Sequence, residues 1–247
     1  NNKIMKKFFV LIFCVFFSVV KSQNLLCEKL KNAILKEDVV EFKKIIKTKV
    51  DVNCISKNEH TPLGIACSRG NIDFVKILLE NKANPNIPQY YKGEPLGTSL
   101  FDALRFCEQQ LEPKLVDVTQ LNLKKKKKKL EKCNNDIKDN ITKLLIKNGA
   151  NVKFVDSNKT TALMIASMYG RSEILKLLLN KGVNINARDN DGNTALIYAS
   201  SNNDYTSVNI LILAGADVLI KGNDGKTALD IANENKFEKI KKLLSSK

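Results

Sequence analysis

Three threonines, Thr161, Thr194 and Thr227, stand 33 residues apart, and each opens the same tripeptide, Thr-Ala-Leu. A fixed period of that size constrains the fold of this 247-residue chain more than any other property. It means one supersecondary unit copied along the sequence in place of a single large core. One copy can be read in full between Asn158 and Asp189. Thr161-Ala162-Leu163 and Ile165-Ala166 start it, and Tyr169-Gly170 turns it. The apolar run Ile174-Leu175 and Leu177-Leu178-Leu179 follows, and Gly182-Val183-Asn184-Ile185-Asn186 closes it. That order predicts a short helix, a tight turn, a longer amphipathic helix and a glycine stop. Such a unit cannot bury its own apolar face, so the expected fold class is all-α, a stack of helix-turn-helix units.

Upstream copies keep the register. Thr61-Pro62-Leu63 leads to Ile65-Ala66, Gly70 and Phe74-Val75-Lys76-Ile77-Leu78-Leu79. Asn53 and Asn86 are again 33 residues apart, as are Lys153 and Asn186. A 33-residue period with this internal order resembles the ankyrin repeat, over roughly residues 25–247. The resemblance implies a solenoid of about six units with β-hairpin fingers between them, and a binding scaffold in place of an enzyme. One position departs from the family pattern in every copy. The histidine usual after Thr-Pro-Leu is Gly64, Phe101, Met164, Ile197 or Asp230 here.

The expected division is a signal peptide over 1–22, an N-terminal capping repeat over 23–57 and a repeat over 58–90. A repeat with an inserted lysine-rich helical hairpin follows over 91–157, then repeats over 158–190 and 191–223, and a C-terminal capping repeat over 224–247. In the first unit Leu26, Leu30, Ala33 and Ile34 make one helical stripe, and Val39, Phe42, Ile45 and Ile46 make the next. The unit 91–157 is longer because 30 extra residues separate its helices and four more lie before it, around Gly93 and Pro95. Its first helix is expected to run to about Gln110 and break near Pro113. Its second helix is expected from about Lys125 to Lys147, where Leu130, Cys133, Ile137, Ile141 and Leu144 recur at helical spacing. Between later units, Asp191-Gly192 and Asp224-Gly225 call for tight turns with glycine at positive φ.

Lys6-Lys7, then the 13 apolar or small residues Phe8 to Val20, then Val20-Lys21-Ser22, read as a secretory signal with the mature chain starting near Gln23. Thirteen residues fall short of the roughly 20 needed to cross a bilayer, which leaves an uncleaved signal anchor as the alternative. The expectation is an exported protein, periplasmic or secreted. Five cysteines follow the signal: Cys27, Cys54, Cys67, Cys107 and Cys133. An odd number leaves at least one unpaired in a monomer, and spacing alone leaves the pairing open. Cys67, after Ala66 on a first helix, reads as a core residue.

The formal charge is +15, from 41 Lys+Arg against 26 Asp+Glu. Lys124 to Lys129 are six consecutive lysines. Two readings stand for them: a solvated tip, or a dock for an anionic surface, membrane lipid or acidic protein. Nucleic acid is the weaker partner, because no aromatics interleave the run. The chain holds no glycine-rich phosphate loop, no GxSxG elbow and no HExxH helix. His60 is the only imidazole and sits one residue before Thr61, where it reads as an exposed loop residue; a dyad with Cys67 is disfavoured. No cofactor and no metal are expected.

The sequence therefore predicts a monomeric, exported scaffold that binds another protein through its concave face. The alternative is an envelope- or membrane-associated structural protein held by Lys124–Lys129. By resemblance, the contact positions are the residue before each threonine and those two turns along each first helix. They are His60, Ser68 and Arg69; Arg105 and Phe106; Thr160, Met168 and Tyr169; Asn193, Ser201 and Asn202; Lys226 and Glu234. Phe106, Met168 and Tyr169, flanked by Arg69 and Arg105, give the middle of that strip the composition of an interface hot spot.

Overall fold

The computed structural model describes residues 22–55, 60–91, 93–105 and 136–246. Twelve helices lie among them: α1 (22–35), α2 (Val39–Ile46), α3 (Pro62–Arg69), α4 (Ile72–Glu80), α5 (Ser99–Leu104) and α6 (136–147) come first. The others are α7 (Ala162–Met168), α8 (Ser172–Asn180), α9 (Ala195–Ser201), α10 (Tyr205–Leu213), α11 (Ala228–Glu234) and α12 (Glu238–Ser245). Two short strands, β1 (Gln89–Tyr91) and β2 (Glu94–Gly97), pair antiparallel.

The threonines that set the period start the short helices. The hydroxyls of Thr61, Thr161, Thr194 and Thr227 accept the N–H three residues on, from Gly64 (3.0 Å), Met164 (3.2 Å), Ile197 (3.3 Å) and Asp230 (3.1 Å). Each bond satisfies a donor that the helix start leaves orphaned, typically worth about 1 kcal/mol. Alanine and leucine on these helices then point into the stack: Leu63, Ala66, Leu163, Ala166, Leu196, Ala199, Ala228 and Ala232 are all buried. α3 packs on α5, α5 on α7, α7 on α9 and α9 on α11, so the short helices form one continuous row. The longer helices add Phe74 and Leu78, Ile141 and Leu145, Leu175 and Leu178, Val208 and Leu211, and Ile240 and Leu244 to the same core. Phe42 and Phe74 join the first unit to the next with ring centroids 4.4 Å apart.

Polar side chains close the loops. Asp51, Asn84, Asn151, Asn184 and Asp217 each accept the N–H two residues on, within 3.0 Å. The residue that donates is then the one that reaches across to the next unit. Asn53, Asn86 and Asn186 take the N–H of Asn84 (2.7 Å), Asn151 (2.6 Å) and Asp217 (3.0 Å). The 33-spaced asparagines are thus staples between units. Lys153 holds the same position and has no acceptor to offer.

The turns between later units also touch one another: Asn190 N–H donates to Asn158 C=O (2.9 Å) and Asn223 N–H to Asp191 C=O (2.8 Å). Gly192 (φ 75°) and Gly225 (φ 79°) take the left-handed conformation these turns need, as expected. The β1–β2 ladder sits where four extra residues around Gly93 and Pro95 give two strands room to pair.

Three expectations need correction. α5 stops at Leu104 and does not run on to Gln110, because Arg105 turns extended (φ −70°, ψ 133°) and sends its guanidinium to Asp156. Val39 is 46% exposed: it is the first residue of α2, beside the Asp38 cap. Ile137, near the start of α6, is exposed as well, so the buried apolar residues of that helix begin at Ile141. The remainder of the expected hairpin, 106–135, lies outside the described residues with Phe106, Cys107, Cys133 and Lys124–Lys129. The expected signal over 1–22 lies outside them too, apart from residue 22. Cys27 and Cys54 form a disulfide that ties α1 to the loop after α2, with Cα atoms 6.1 Å apart. Cys67 is buried and free, in the core where the sequence puts it. No helix among the described residues is long and apolar enough to cross a membrane.

Candidate functional site

The expected contact strip falls along the ends of the short helices, and its members differ in how free they are. Arg69 is the last residue of α3 and is exposed, followed by Gly70 at φ 70°. Tyr169, directly after α7, is 37% exposed, and Met168 beside it is half-buried. Ser201 and Asn202 at the end of α9 are exposed. Asn202 donates its amide to the Met168 carbonyl (2.7 Å), lacing one helix end to the one before. Ser68 and Ser201 turn their hydroxyls back onto Ile65 and Ile197 carbonyls, each at 2.9 Å. Lys226 and Glu234 pair with each other (2.5 Å). Thr160 and Asn193 are half-buried and give their N–H groups to turn aspartates, Asp156 (2.8 Å) and Asp189 (2.9 Å). Arg69 and Tyr169 stand out, since their side chains have no polar partner among the described residues.

Two expected members already carry bonds within the chain. The Arg105 guanidinium meets Asp156 at 3.1 Å and lies 5.7 Å from the centroid of the Phe101 ring, with the Arg105 side chain still 37% exposed. His60 is half-buried, where an exposed loop residue was expected. Its Nδ1 lies 2.5 Å from the Gln89 carbonyl oxygen, so Nδ1 carries the proton and donates. The Gln89 amide then donates to Asp102. Gln89 is buried, and a Cβ placed on Gly64 would fall on its amide group. The glycine clears the path of that side chain.

Burial pushes the Asp102 carboxyl up to about 6, against the opposing pull of the Gln89 bond, His60, Arg105 and Lys138. The Cys67 thiol is driven well above its ordinary value, first by burial and then by Asp102. That is the reverse of what a nucleophilic cysteine requires. In two later copies the residue at the Gly64 position closes a capping box instead. Met164 Sδ accepts Thr161 N–H (3.4 Å), and Asp230 accepts Thr227 N–H (2.9 Å).

Residues 30–112 and 131–222 match the family model for ankyrin repeats. The chain belongs to the ankyrin-repeat family. Many solved structures share its fold. One is a chain of the complex between the Bd0816 predatory endopeptidase of Bdellovibrio bacteriovorus and immunity protein Bd3460. It is 28% identical, with 89% of this chain and 97% of that chain covered and a TM-score of 0.66. Another is an ankyrin repeat domain, ABAYE2397, from Acinetobacter baumannii AYE, which shares the fold at 24% identity. There 88% of this chain and 96% of that one are covered, with a TM-score of 0.66. No curated protein matches the sequence.

Sequence reasoning missed the polar residues that hold this ankyrin array's short-helix row. Asp156 and Asp189 each bind two turn N–H groups with one carboxylate oxygen. The other oxygen takes Arg105 in the first case and the Tyr198 hydroxyl in the second. Burial, then the Asp189 bond, pushes the Tyr198 hydroxyl up to about 12. Lys138 is buried where α6 begins and donates to the Ser68 (3.0 Å) and Arg105 (3.3 Å) carbonyls. A cation at carbonyls near the ends of α3 and α5 sits at the negative pole of each. Arg171, buried at the start of α8, pairs with Asp139 at 2.7 Å. The signal for these residues was weak: aspartate recurs 33 residues apart, but its partners differ from unit to unit.

Proposed function

We propose that this chain is a six-unit ankyrin scaffold, exported from the cell that makes it, whose concave face along the short-helix ends binds another protein. Family membership carries this reading, supported by Arg69, Tyr169, Ser201 and Asn202 standing exposed at the ends of α3, α7 and α9. The structurally similar chain from an endopeptidase–immunity protein complex is itself part of a protein–protein assembly. Aromatic and arginine side chains at such positions are what interface hot spots use. We read the scaffold as a monomer without chemistry of its own, consistent with a Cys67 thiol that is buried and held protonated.

Export is supported by the Lys6-Lys7 and Phe8–Val20 order and by the Cys27–Cys54 disulfide, a bond that persists in oxidising compartments. N-terminal sequencing of the exported protein should start near Gln23; a chain that retains Phe8–Val20 would point to a signal anchor. For the binding face, the immobilised protein is incubated with an extract of its own compartment, beside an Arg69→Glu/Tyr169→Ala version. A partner held by the first and lost by the second supports the concave face. A partner held equally by both removes it and leaves Lys124–Lys129 as the next segment to test.

A further inference from the structure

The long helices carry a second charged feature that the concave-face reading does not use. Lys43, Lys76, Lys143 and Lys176 occupy one position of α2, α4, α6 and α8, and all four are exposed. Along most of this row the charge is diluted. Lys76 lies 3.9 Å from Asp73, and the equivalent residue of α10 is Asn209, in a helix with no charged side chain. Between α6 and α8 the charge is concentrated around a groove. Lys143 and Lys147 line one side, Lys176 and Lys181 the other, with Ile146 and Leu177 half-buried in its lining. One carboxylate faces them, Glu173, and it is bound to Lys176 at 3.0 Å. That bond, with Lys143 nearby, holds the Glu173 carboxyl below its usual range. Three ammonium groups are left with no carboxylate of this chain within ion-pairing reach among the described residues.

We infer that the α6–α8 groove docks an acidic segment of a partner polypeptide, its carboxylates on the lysines of both rims and its apolar side chains against Ile146 and Leu177. Four lysines can present ammonium groups at the rim while their methylene stems cover the apolar lining. A concave site with aliphatic residues at its centre favours a chain that can enter it over a flat bilayer, which would meet only the ridges. Its lining holds no aromatic ring on which a base could stack, which argues against single-stranded nucleic acid. The groove belongs to the long-helix row, so it can be occupied independently of the short-helix ends.

The test uses the full chain and a short labelled peptide of alternating glutamate and leucine. Binding is expected to weaken about tenfold in Lys143→Glu/Lys176→Glu, since reversed rim charges both remove attraction and add repulsion. Lys239→Glu/Lys241→Glu, an equal charge change on α12, is expected to leave affinity within about twofold, because exposed charges beyond a Debye length are screened. Melting temperatures of both variants must match the parent, and Lys143→Ala/Lys176→Ala serves if charge reversal disturbs the fold. Equal losses in the two charge-reversed variants would overturn the proposal in favour of general attraction. So would a loss confined to a protein whose Lys124–Lys129 are serines. Vesicles of equimolar phosphatidylglycerol and phosphatidylcholine provide the last arm. Vesicle binding that depends on Lys143 and Lys176, with peptide binding that does not, would assign the groove to a membrane surface instead.

Discussion

The stretch from Thr160 to Asp204 and the stretch from His60 to Arg105 place short helices in the same row, yet they secure them with different chemistry. In the later stretch the links run within a unit or from one helix end to the one before it. Asp189 holds its own turn and the Tyr198 hydroxyl nine residues on, while Asn202 ties its helix end to the Met168 carbonyl. In the earlier stretch one side chain, Gln89, comes from the β1–β2 hairpin and lies between His60 and Asp102. It fits because Gly64 has no side chain. The apolar rows are alike in both, with Leu63, Ala66, Leu100 and Ala103 as fully buried as Leu163, Ala166, Leu196 and Ala199. The repeat therefore fixes which carbons are buried and leaves open how the polar groups are satisfied.

If the packing is shared, truncating it should cost the same in either stretch. Leu104→Ala and Leu178→Ala, both fully buried, are each expected to lose about 2–5 kcal/mol. Denaturant melts of the two proteins check this, and a loss below about 1 kcal/mol at Leu104 would break the equivalence.

The polar side of the comparison should appear in the pH dependence. Asp102 has a folded-state carboxyl raised from 3.8 to about 6, so the folded protein holds that proton more tightly than the unfolded chain. Stability is then present at acid pH and falls as pH rises from about 4 to about 6, by up to about 2–3 kcal/mol. In Asp102→Asn this slope should vanish. An unchanged slope would mean that the carboxylate is not buried against Gln89.

Gly64 gives a finer test. Gly64→Ala moves toward an ordinary helix residue but displaces the Gln89 amide from both partners, with an expected loss of about 1–3 kcal/mol. In a Gln89→Ala background the same substitution should cost little or be favourable. Additive losses would show that the glycine matters for some other reason.

Legibility followed the same division. The Thr-Ala-Leu period was enough to start α7, α9 and α11 at the right residue, because the threonine both marks the period and caps the helix. Ala66 and Ala166 were readable as stack residues for the same reason. The 33-spaced asparagines were visible as markers, but their bonds to the next unit depend on how neighbouring loops stack in the fold. His60 could not be placed, since its partner Gln89 lies beside four residues that the period does not contain. The stop of α5 at Leu104 depends on Arg105 reaching Asp156, 51 residues on. The Cys27–Cys54 pairing depends on three-dimensional proximity that spacing does not encode. Of the contact strip, Arg69, Tyr169, Ser201 and Asn202 were legible as exposed helix ends, whereas Arg105 was taken up by an internal ion pair.

The smallest effect concerns the staple that Lys153 interrupts. Lys153→Asn should supply the missing acceptor and raise stability by about 0.5–1.5 kcal/mol, the usual net value of one hydrogen bond. A higher melting temperature would confirm that an asparagine at this position staples a fourth pair of units; no change would limit the staple to the three seen.

The central claim, that the short-helix ends form a protein-binding face, is tested most directly at Tyr169. Calorimetric titration of the captured partner into the parent and into Tyr169→Ala, with matched melting temperatures, gives the two affinities. A loss of about 2 kcal/mol or more is expected, the threshold of an interface hot spot. Equal affinities for the two proteins would contradict the concave-face account.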